Sequence, residues 1–249
     1  MLNRFLAANR HLCTKLTQHL PQAKPNIFYL YEEIVSAHLN ARPNQIVVDI
    51  GGGNVCPFAS HRDPQGNSRI IAVDVSMDAL IDNLDVDEKI VIDTREELPF
   101  RDDEVDMVVS RSVLEHLENP DRFVMHSHRI LRKNGYFIHL FPSKFALFAL
   151  INRMLPRTLS KKMLYLLFPE SKGIGGFPAF YNKCYYSAMK SLLEKNGFEL
   201  IDVHVSYFQS GYFGFFVPLF VLSSLYEIML RFLRIKNLSA YLIVVAKKK

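Results

Sequence analysis

The stretch Ile46-Val47-Val48-Asp49-Ile50-Gly51-Gly52-Gly53-Asn54 decides the fold. Five residues dominated by Ile and Val form a short, buried-type strand. It carries an acidic residue and then turns at once through three glycines, which let the backbone bend sharply and approach a ligand closely. A helix should start just beyond, with its free N–H groups facing that ligand. A second apolar run, Ile70-Ile71-Ala72-Val73, ends in Asp74, at the distance where such motifs place a carboxylate for the two hydroxyls of a ribose. In open α/β sheets ligands bind beyond the carboxyl ends of the strands, so Asp49, the glycines and Asp74 converge on one site. A nicotinamide dinucleotide satisfies these two features as well as any other nucleoside ligand does.

Further strands are read at Lys89 to Ile92, Val105 to Val109, Tyr136 to Phe141, Phe198 to Val205 and Ala240 to Ala246. A helix begins at Asn119-Pro120, brings cations into its last turn at Arg129 to Lys133, and stops at Asn134-Gly135. Another runs from about Tyr185 to Lys195 and stops at Asn196-Gly197. Apolar strands alternating with helices imply a parallel sheet covered on both faces. An amphipathic helix is expected before Pro21.

The stretch Glu96-Glu97-Leu98-Pro99-Phe100-Arg101-Asp102-Asp103-Glu104-Val105-Asp106-Met107-Val108 leads through Ser110 to Leu114-Glu115-His116-Leu117, then Asn119-Pro120 and Asn134-Gly135-Tyr136. With these residues added, the chain resembles the class I S-adenosylmethionine-dependent methyltransferases over about residues 46–142, in particular the subgroup acting on small molecules, quinones and lipids. The resemblance implies an α/β, Rossmann-like sheet of seven strands, mostly parallel with an antiparallel last strand, and S-adenosylmethionine as cofactor. It assigns Asp49 and Gly51, Gly52 and Gly53 to the amino-acid end of the cofactor and Asp74 to its ribose. Asp93, Thr94 and Arg95 would lie along the adenine, and Ser110 near the methionine part. Val55 stands where the family often has another glycine. Asp93 comes one residue before the family's usual adenine-side Asp, a position Thr94 fills. His116, after the fourth strand, is the candidate general base, with packing of the local turn as the other role it can play. Glu115-His116 also resembles the metal motif of some quinone O-methyltransferases, but Ser112 replaces their further Glu, so no metal is expected.

The whole of 1–249 reads as one methyltransferase domain, with N-terminal helices over 1–40 and two apolar insertions at 143–183 and 207–237. In the family topology both insertions emerge over the active-site end of the sheet. The run Tyr212 to Leu230 approaches the roughly 20 apolar residues needed to cross a bilayer. Pro218 and Glu227 oppose a simple span, and one crossing would strand the last strand on the wrong side. A shallow helix pair or re-entrant hairpin fits better, with Arg231, Arg234 and Lys236 meeting headgroups, and Lys144, Arg153, Arg157, Lys161 and Lys162 doing so for the first insertion. A lid packed on itself, or a dimer interface, is the competing reading. The segment 173–178 reads as a hinge or a turn.

Composition narrows the partners. Of 249 residues 49% are hydrophobic, and the formal net charge is +5. The basic residues flank apolar runs instead of forming a stripe interleaved with stacking aromatics, which favours an anionic membrane surface over nucleic acid. Three scattered cysteines, Cys13, Cys56 and Cys184, form neither a disulfide framework nor a zinc motif and fit a reducing compartment. The expected location is therefore cytoplasmic, peripheral or monotopic on the membrane. Three functions remain open: a membrane-associated methyltransferase for a hydrophobic small molecule or lipid, an O-methyltransferase of a lipid-linked or cell-envelope sugar, and a non-catalytic module that keeps the fold. The oligomeric state is not legible.

Overall fold

The computed structural model describes residues 2–93, 97–167 and 178–249. Among them lie seven strands: β1 Ile46–Ile50, β2 Arg69–Asp74, β3 Glu88–Val91, β4 Val105–Arg111, β5 Leu131–Pro142, β6 Phe198–Ser206 and β7 Tyr241–Lys248. They form one sheet in the order β3-β2-β1-β4-β5-β7-β6. The first five pair in parallel, and β7 inserts antiparallel between β5 and β6. This is the Rossmann-like sheet with an antiparallel last strand that the sequence implies. Its centre, β1 and β4, is apolar on both faces: Val47, Val48, Ile50, Met107, Val108 and Val109 are all buried. That pattern belongs to a parallel sheet sandwiched between layers.

The eight helices described are α1 Leu2–Thr17, α2 Ile27–Leu39, α3 Met77–Leu80, α4 Pro120–Ile130, α5 Leu147–Met154, α6 Arg157–Leu167, α7 Tyr186–Lys195 and α8 Val217–Leu233. Start signals act as the sequence indicates. Asn26 accepts from the Phe28 N–H to cap α2, and Asn119 accepts from the Arg122 N–H to cap α4, whose first residue is Pro120. After α7 the chain reverses at Gly197, with φ +82°.

Two expectations are corrected. No α-helix follows the glycine turn of β1; the connection to β2 contains only short 3-10 turns at Ala59–His61 and Pro64–Gly66. Pro57 and Pro64 each lack an N–H and push the preceding residue away from the α region. Buried Cys56 and Phe58 then hold the segment on the sheet as an irregular loop. Helix α4 also ends at Ile130, not at Asn134. Leu131 is buried and already pairs with Val105, so strand pairing competes successfully for the last turn. Asn134, with φ +65°, and Gly135 form an irregularity inside β5 instead of a helix stop.

Both insertions leave the sheet where Asp49 and Asp74 lie. The first passes from Pro142 into α5 and α6. The second passes from β6 through a 3-10 turn, Ser210–Phe213, into α8 and returns to β7. No helix among the described residues is long and apolar enough to cross a membrane. In place of the expected helix pair, the second insertion holds the single helix α8, packed against α1. The side chains of Arg157 and Lys161, and most of the proposed hinge at 173–178, lie outside the described residues.

Candidate active site

At the carboxyl end of β1 the chain bends back onto β2. The N–H groups of Gly51 and Gly52 both donate to the Val73 carbonyl, at 2.7 and 3.2 Å. Gly51 adopts φ +68°, and a Cβ there would lie 2.4 Å from Val113 Cγ2; one on Gly52 would lie 2.7 Å from Ala72 Cβ. The turn is therefore closed to side chains from β4's exit and from β2, while its upper surface stays open at Gly53, where a Cβ would meet only Gly51 O at 3.9 Å. Asn83, fully buried, donates to the carbonyls of Gly52 and Gly53 at 3.1 and 3.0 Å. Asp85 accepts from the Cys56 N–H at 3.0 Å. These contacts fix the loop that the missing helix would otherwise have organised. Asn83 and Asp85 carry no motif signal.

Asp74 accepts from the Gly53 N–H through Oδ2 and from the Ser76 N–H through Oδ1, at 3.2 and 3.3 Å. A carboxylate offers about four acceptor directions, so two remain for ligand hydroxyls. Asp93 follows β3 and lies next to this strand end, where the Ile92 N–H donates to the Asp74 carbonyl at 2.9 Å. Thr94 and Arg95 lie outside the described residues.

Asp49 is buried beneath the turn. Burial pushes its carboxyl up from an ordinary 3.8 to about 7; Arg111 and a hydrogen bond from the Cys56 thiol oppose the rise, and the Asp74 charge adds to it. Arg111, at the end of β4, also donates to Glu32 of α2 at 3.2 Å. The Tyr31 hydroxyl on the same helix is buried, senses the Asp49 charge, and has no hydrogen-bond partner. Asp49, Tyr31, Glu32 and Arg111 thus form a polar floor in which Arg111 offsets only part of the cost of burying Asp49, and in which the Tyr31 hydroxyl has no hydrogen-bond partner. A ligand carrying an ammonium group beside a carboxylate suits that deficit, and the amino-acid end of S-adenosylmethionine carries that pair. The cradle fits the group. Tyr31, Glu32 and Arg111 escape sequence reasoning because α2 and β4 are far apart along the chain.

The elevated Asp49 carboxyl has a measurable consequence. An acid whose folded-state pKa lies above its unfolded one stabilises the fold below pH 3.8 and loses that contribution as the pH rises to about 7. At about 1.4 kcal/mol per tenfold change in proton affinity, the ionised form costs on the order of 4 kcal/mol. Asp49→Asn is therefore expected to raise the melting temperature of the ligand-free protein at pH 8 more than at pH 5.5, and to weaken cofactor binding. An equal gain at both pH values would show that ionisation of Asp49 is not the cause.

Ser110 lies at the strand end beside Ile50, but its side chain is fully buried and shares a 2.6 Å hydrogen bond with His139 Nδ1 on β5. His139 packs between Phe123 and Phe137, and burial holds its pKa well below the usual imidazole value. It is a neutral core residue. His116 ends a 3-10 turn, Leu114–His116, and its Nδ1 is 2.8 Å from the Pro178 carbonyl. A carbonyl only accepts, so Nδ1 carries the hydrogen. Its neighbour Glu115 points inward and is 5% exposed, and burial pushes its carboxyl up to about 8. Among the described residues no three His, Cys, Asp or Glu side chains gather in a metal-binding group.

A cleft of about 320 Å³ opens between the N-terminal segment and the second insertion. Its walls are largely apolar, with Ile27 and Phe28 on one side, Phe208 and Gly211 on the other, and Tyr212 and Tyr241 also lining it. Helix α2 joins the two regions: Ile27 and Phe28 line the cleft, and Tyr31 and Glu32, one turn on, reach the cofactor floor.

Residues 48–139 match the family model described as a methyltransferase domain. Over those residues the chain is similar to a methyltransferase domain, and its seven-stranded sheet has the Rossmann-like methyltransferase fold. Uncharacterized protein MJ1123 of Methanocaldococcus jannaschii is 38% identical over 50 residues, which is 20% of this chain and 24% of that protein. The geranyl diphosphate C-methyltransferase from Streptomyces coelicolor A3(2), solved with Mg2+, geranyl-S-thiolodiphosphate and S-adenosyl-L-homocysteine, is similar in fold. Its TM-score is 0.56 at 13% identity, over 89% of this chain and 76% of that one. The [4+2]-cyclase SpnF is similar as well, with a TM-score of 0.53 at 16% identity, over 87% of this chain and 80% of that one. A cyclase and a methyltransferase on one scaffold show that the fold alone does not choose the reaction.

Proposed function

We propose that the protein is an S-adenosylmethionine-dependent methyltransferase that works at a membrane surface and methylates a hydrophobic small molecule or lipid. The observation that carries this reading is the polarity of α8, which runs opposite to that of an ordinary surface helix. Its inward face presents Ser223, Ser224 and Glu227 between Phe220 and Leu230, all buried. Its outward face presents Leu222, Leu225, Met229 and Phe232, with Leu222 65%, Leu225 60% and Phe232 84% exposed. Helix α1, tied to it by the Val217 N–H donating to Asn9, adds exposed Phe5, Leu12 and Leu16. Exposed Arg231, Arg234 and Lys236 follow at the end of the apolar face, as an anionic bilayer requires. The cleft lies at the root of this helix pair, lined by residues flanking α1 and α8.

When bound, the cofactor supplies an electrophilic methyl group on a sulfonium sulfur. Asp49 and the turn of Gly51, Gly52 and Gly53 hold its amino-acid end in this reading, Asp74 its ribose, and Asp93 its adenine side. The apolar cleft holds the acceptor and excludes water, so that binding energy aligns the attacking atom. The isoprenoid acceptor of the similar geranyl diphosphate enzyme supports an apolar substrate.

Sedimentation with phosphatidylcholine vesicles containing phosphatidylglycerol tests the location. The protein is expected to pellet with them and far less with pure phosphatidylcholine. Replacing Leu222, Leu225 and Phe232 together by serine removes three inserted side chains at about 1.5–3 kcal/mol each, so partitioning should fall at least about a hundredfold. Unchanged partitioning, or a wild-type chain that ignores vesicles and sediments as a dimer, would assign the apolar face to a second copy. Transfer of tritiated methyl from S-adenosylmethionine into a total lipid extract tests the acceptor class. Label confined to the aqueous phase would favour a soluble or sugar acceptor.

A further inference from the structure

The cleft between the N-terminal segment and the second insertion is walled by uncharged side chains. Among the described residues that line it there is no Lys, Arg, His, Asp or Glu. Lys24, between the lining residues Ala23 and Pro25, is exposed to solvent and stands outside the wall. The N-terminus of α2 reaches the cleft and would draw an anion, but Asn26 Oδ1 already accepts from the Phe28 N–H there, at 2.9 Å. Behind the wall lies an acid, since Glu227 accepts from the N–H of the lining Gln209 at 3.1 Å.

Several polar side chains of the wall are committed to the backbone. Thr17 Oγ1 donates to the Cys13 carbonyl at 2.9 Å. Ser206 Oγ accepts from the Phe208 N–H at 3.3 Å, and Gln209 Oε1 from the Leu147 N–H at 2.7 Å. Tyr212 and Tyr241 instead bond to each other, with their hydroxyl oxygens 2.5 Å apart. Phe148 stacks on Tyr212 with ring centroids 4.3 Å apart, and Phe28 meets Tyr241 edge-on at 5.4 Å, so neighbouring rings hold both phenols in place. Burial pushes both phenols above their usual range, and no cation acts on either, so the pair is neutral. A phenol oxygen accepts as well as donates, and the pair can therefore meet a hydroxyl in either sense.

A charged head in this cleft is buried without a partner, which costs far more than burying a hydroxyl that finds a hydrogen bond. We propose that the cleft selects an apolar molecule by an uncharged, hydroxyl-bearing head, read by the Tyr212–Tyr241 pair, and excludes phosphorylated and ammonium-bearing relatives of the same molecule. The proposal rests on the functional reading above, which makes the cleft the acceptor site, and it narrows the acceptor class. A lipid whose reacting head is a phosphate ester falls outside that class. At about 320 Å³ the cleft is at the small end of ligand pockets, with room for a ring and a short chain.

Four probes of one shape test the selection: para-butylphenol, butylbenzene, para-butylphenyl phosphate and para-butylbenzylamine. Each is titrated by calorimetry into protein saturated with S-adenosylhomocysteine, so no turnover is needed. The phenol should bind at least about tenfold more tightly than the phosphate or the amine. Tyr241→Phe and Tyr212→Phe should each weaken the phenol about fivefold and leave butylbenzene unchanged, which separates reading of the oxygen from packing of the ring. Gly211→Leu locates the site. A Cβ there meets only the Phe208 ring, at 3.5 and 3.6 Å, so the leucine enters the cleft without disturbing the backbone and should abolish phenol binding while cofactor affinity stays the same. Phosphate or amine binding as tight as that of the phenol overturns the proposal. So does a phenol affinity that both tyrosine variants leave unaltered, or one that Gly211→Leu retains. A wild-type chain that binds S-adenosylhomocysteine but none of the four probes overturns instead the reading of the cleft as the acceptor site.

Discussion

Replacing Asp74 with alanine is expected to weaken S-adenosylmethionine binding by about two orders of magnitude while leaving the protein folded. The carboxylate serves two groups at once. Toward the protein it accepts from the N–H groups of Gly53 and Ser76, which sets the height of the glycine turn. Toward the ligand it presents its remaining acceptor directions at the end of β2, where a ribose places two hydroxyls. A hydrogen bond to a charged group contributes about 1.5–3 kcal/mol, so losing a bidentate pair and loosening Gly53 together exceed a tenfold effect. The fold survives because Asp74 is only half-buried and both N–H groups it serves lie in loops open to water. Calorimetric titration of S-adenosylmethionine into the two chains decides the matter. Asp74→Asn should fall between them, since it keeps one acceptor oxygen. Equal affinity in the wild-type and alanine chains would remove Asp74 from the cofactor site and, with it, the family's ribose assignment.

The parts legible in the sequence are those whose cause is local. Strands β1 and β2 announce themselves through runs of Ile and Val, and Asp49, the glycines and Asp74 by their position at the strand ends. The absence of a helix after β1 is legible in Pro57 and Pro64, which stand in the connection and override the glycine motif's usual helix. What escapes reading is long-range pairing. Nothing near Asn83 indicates that it holds the carbonyls of Gly52 and Gly53, and nothing near Tyr31 places it over Asp49. The orientation of α8 escapes for a different reason. The sequence shows an apolar run but not which of its polar residues turn inward; Ser223, Ser224 and Glu227 do so because they have buried partners.

Those partners make Glu227 the residue on which the second insertion depends, and Glu227→Leu is expected to detach it. The carboxylate is fully buried and accepts from the Gln209 N–H at 3.1 Å, Ser223 Oγ at 3.0 Å, Ser210 Oγ at 3.2 Å and Gln22 Nε2 at 3.3 Å. These donors come from three places: the segment before α2, the turn after β6, and α8 itself. Gln209 extends the link, since its Oε1 accepts from the Leu147 N–H at the start of α5. Burial raises the Glu227 pKa and the four donors oppose that rise, with no cation among the causes. Leucine would leave four buried donors without an acceptor. Each buried donor left unsatisfied costs about 1–3 kcal/mol, and the loss falls on the N-terminal segment, α8 and the cleft between them. Hydrogen exchange should therefore accelerate in residues 17–30 and 206–240 while β1, β4 and β5 keep their protection. Glu227→Gln should give an intermediate result, keeping one acceptor and adding a donor that has no place. The leucine variant also leaves only Ser223 and Ser224 as polar groups on the inward face of α8, beside Phe220 and Leu230, so the selection of that face weakens. Its vesicle partitioning should become weaker and its aggregation stronger, even though its total hydrophobicity has risen. A variant that keeps wild-type exchange and vesicle binding would show that shape, not the polar inner face, holds α8 in place, and would remove the main physical reason for its apolar face pointing outward.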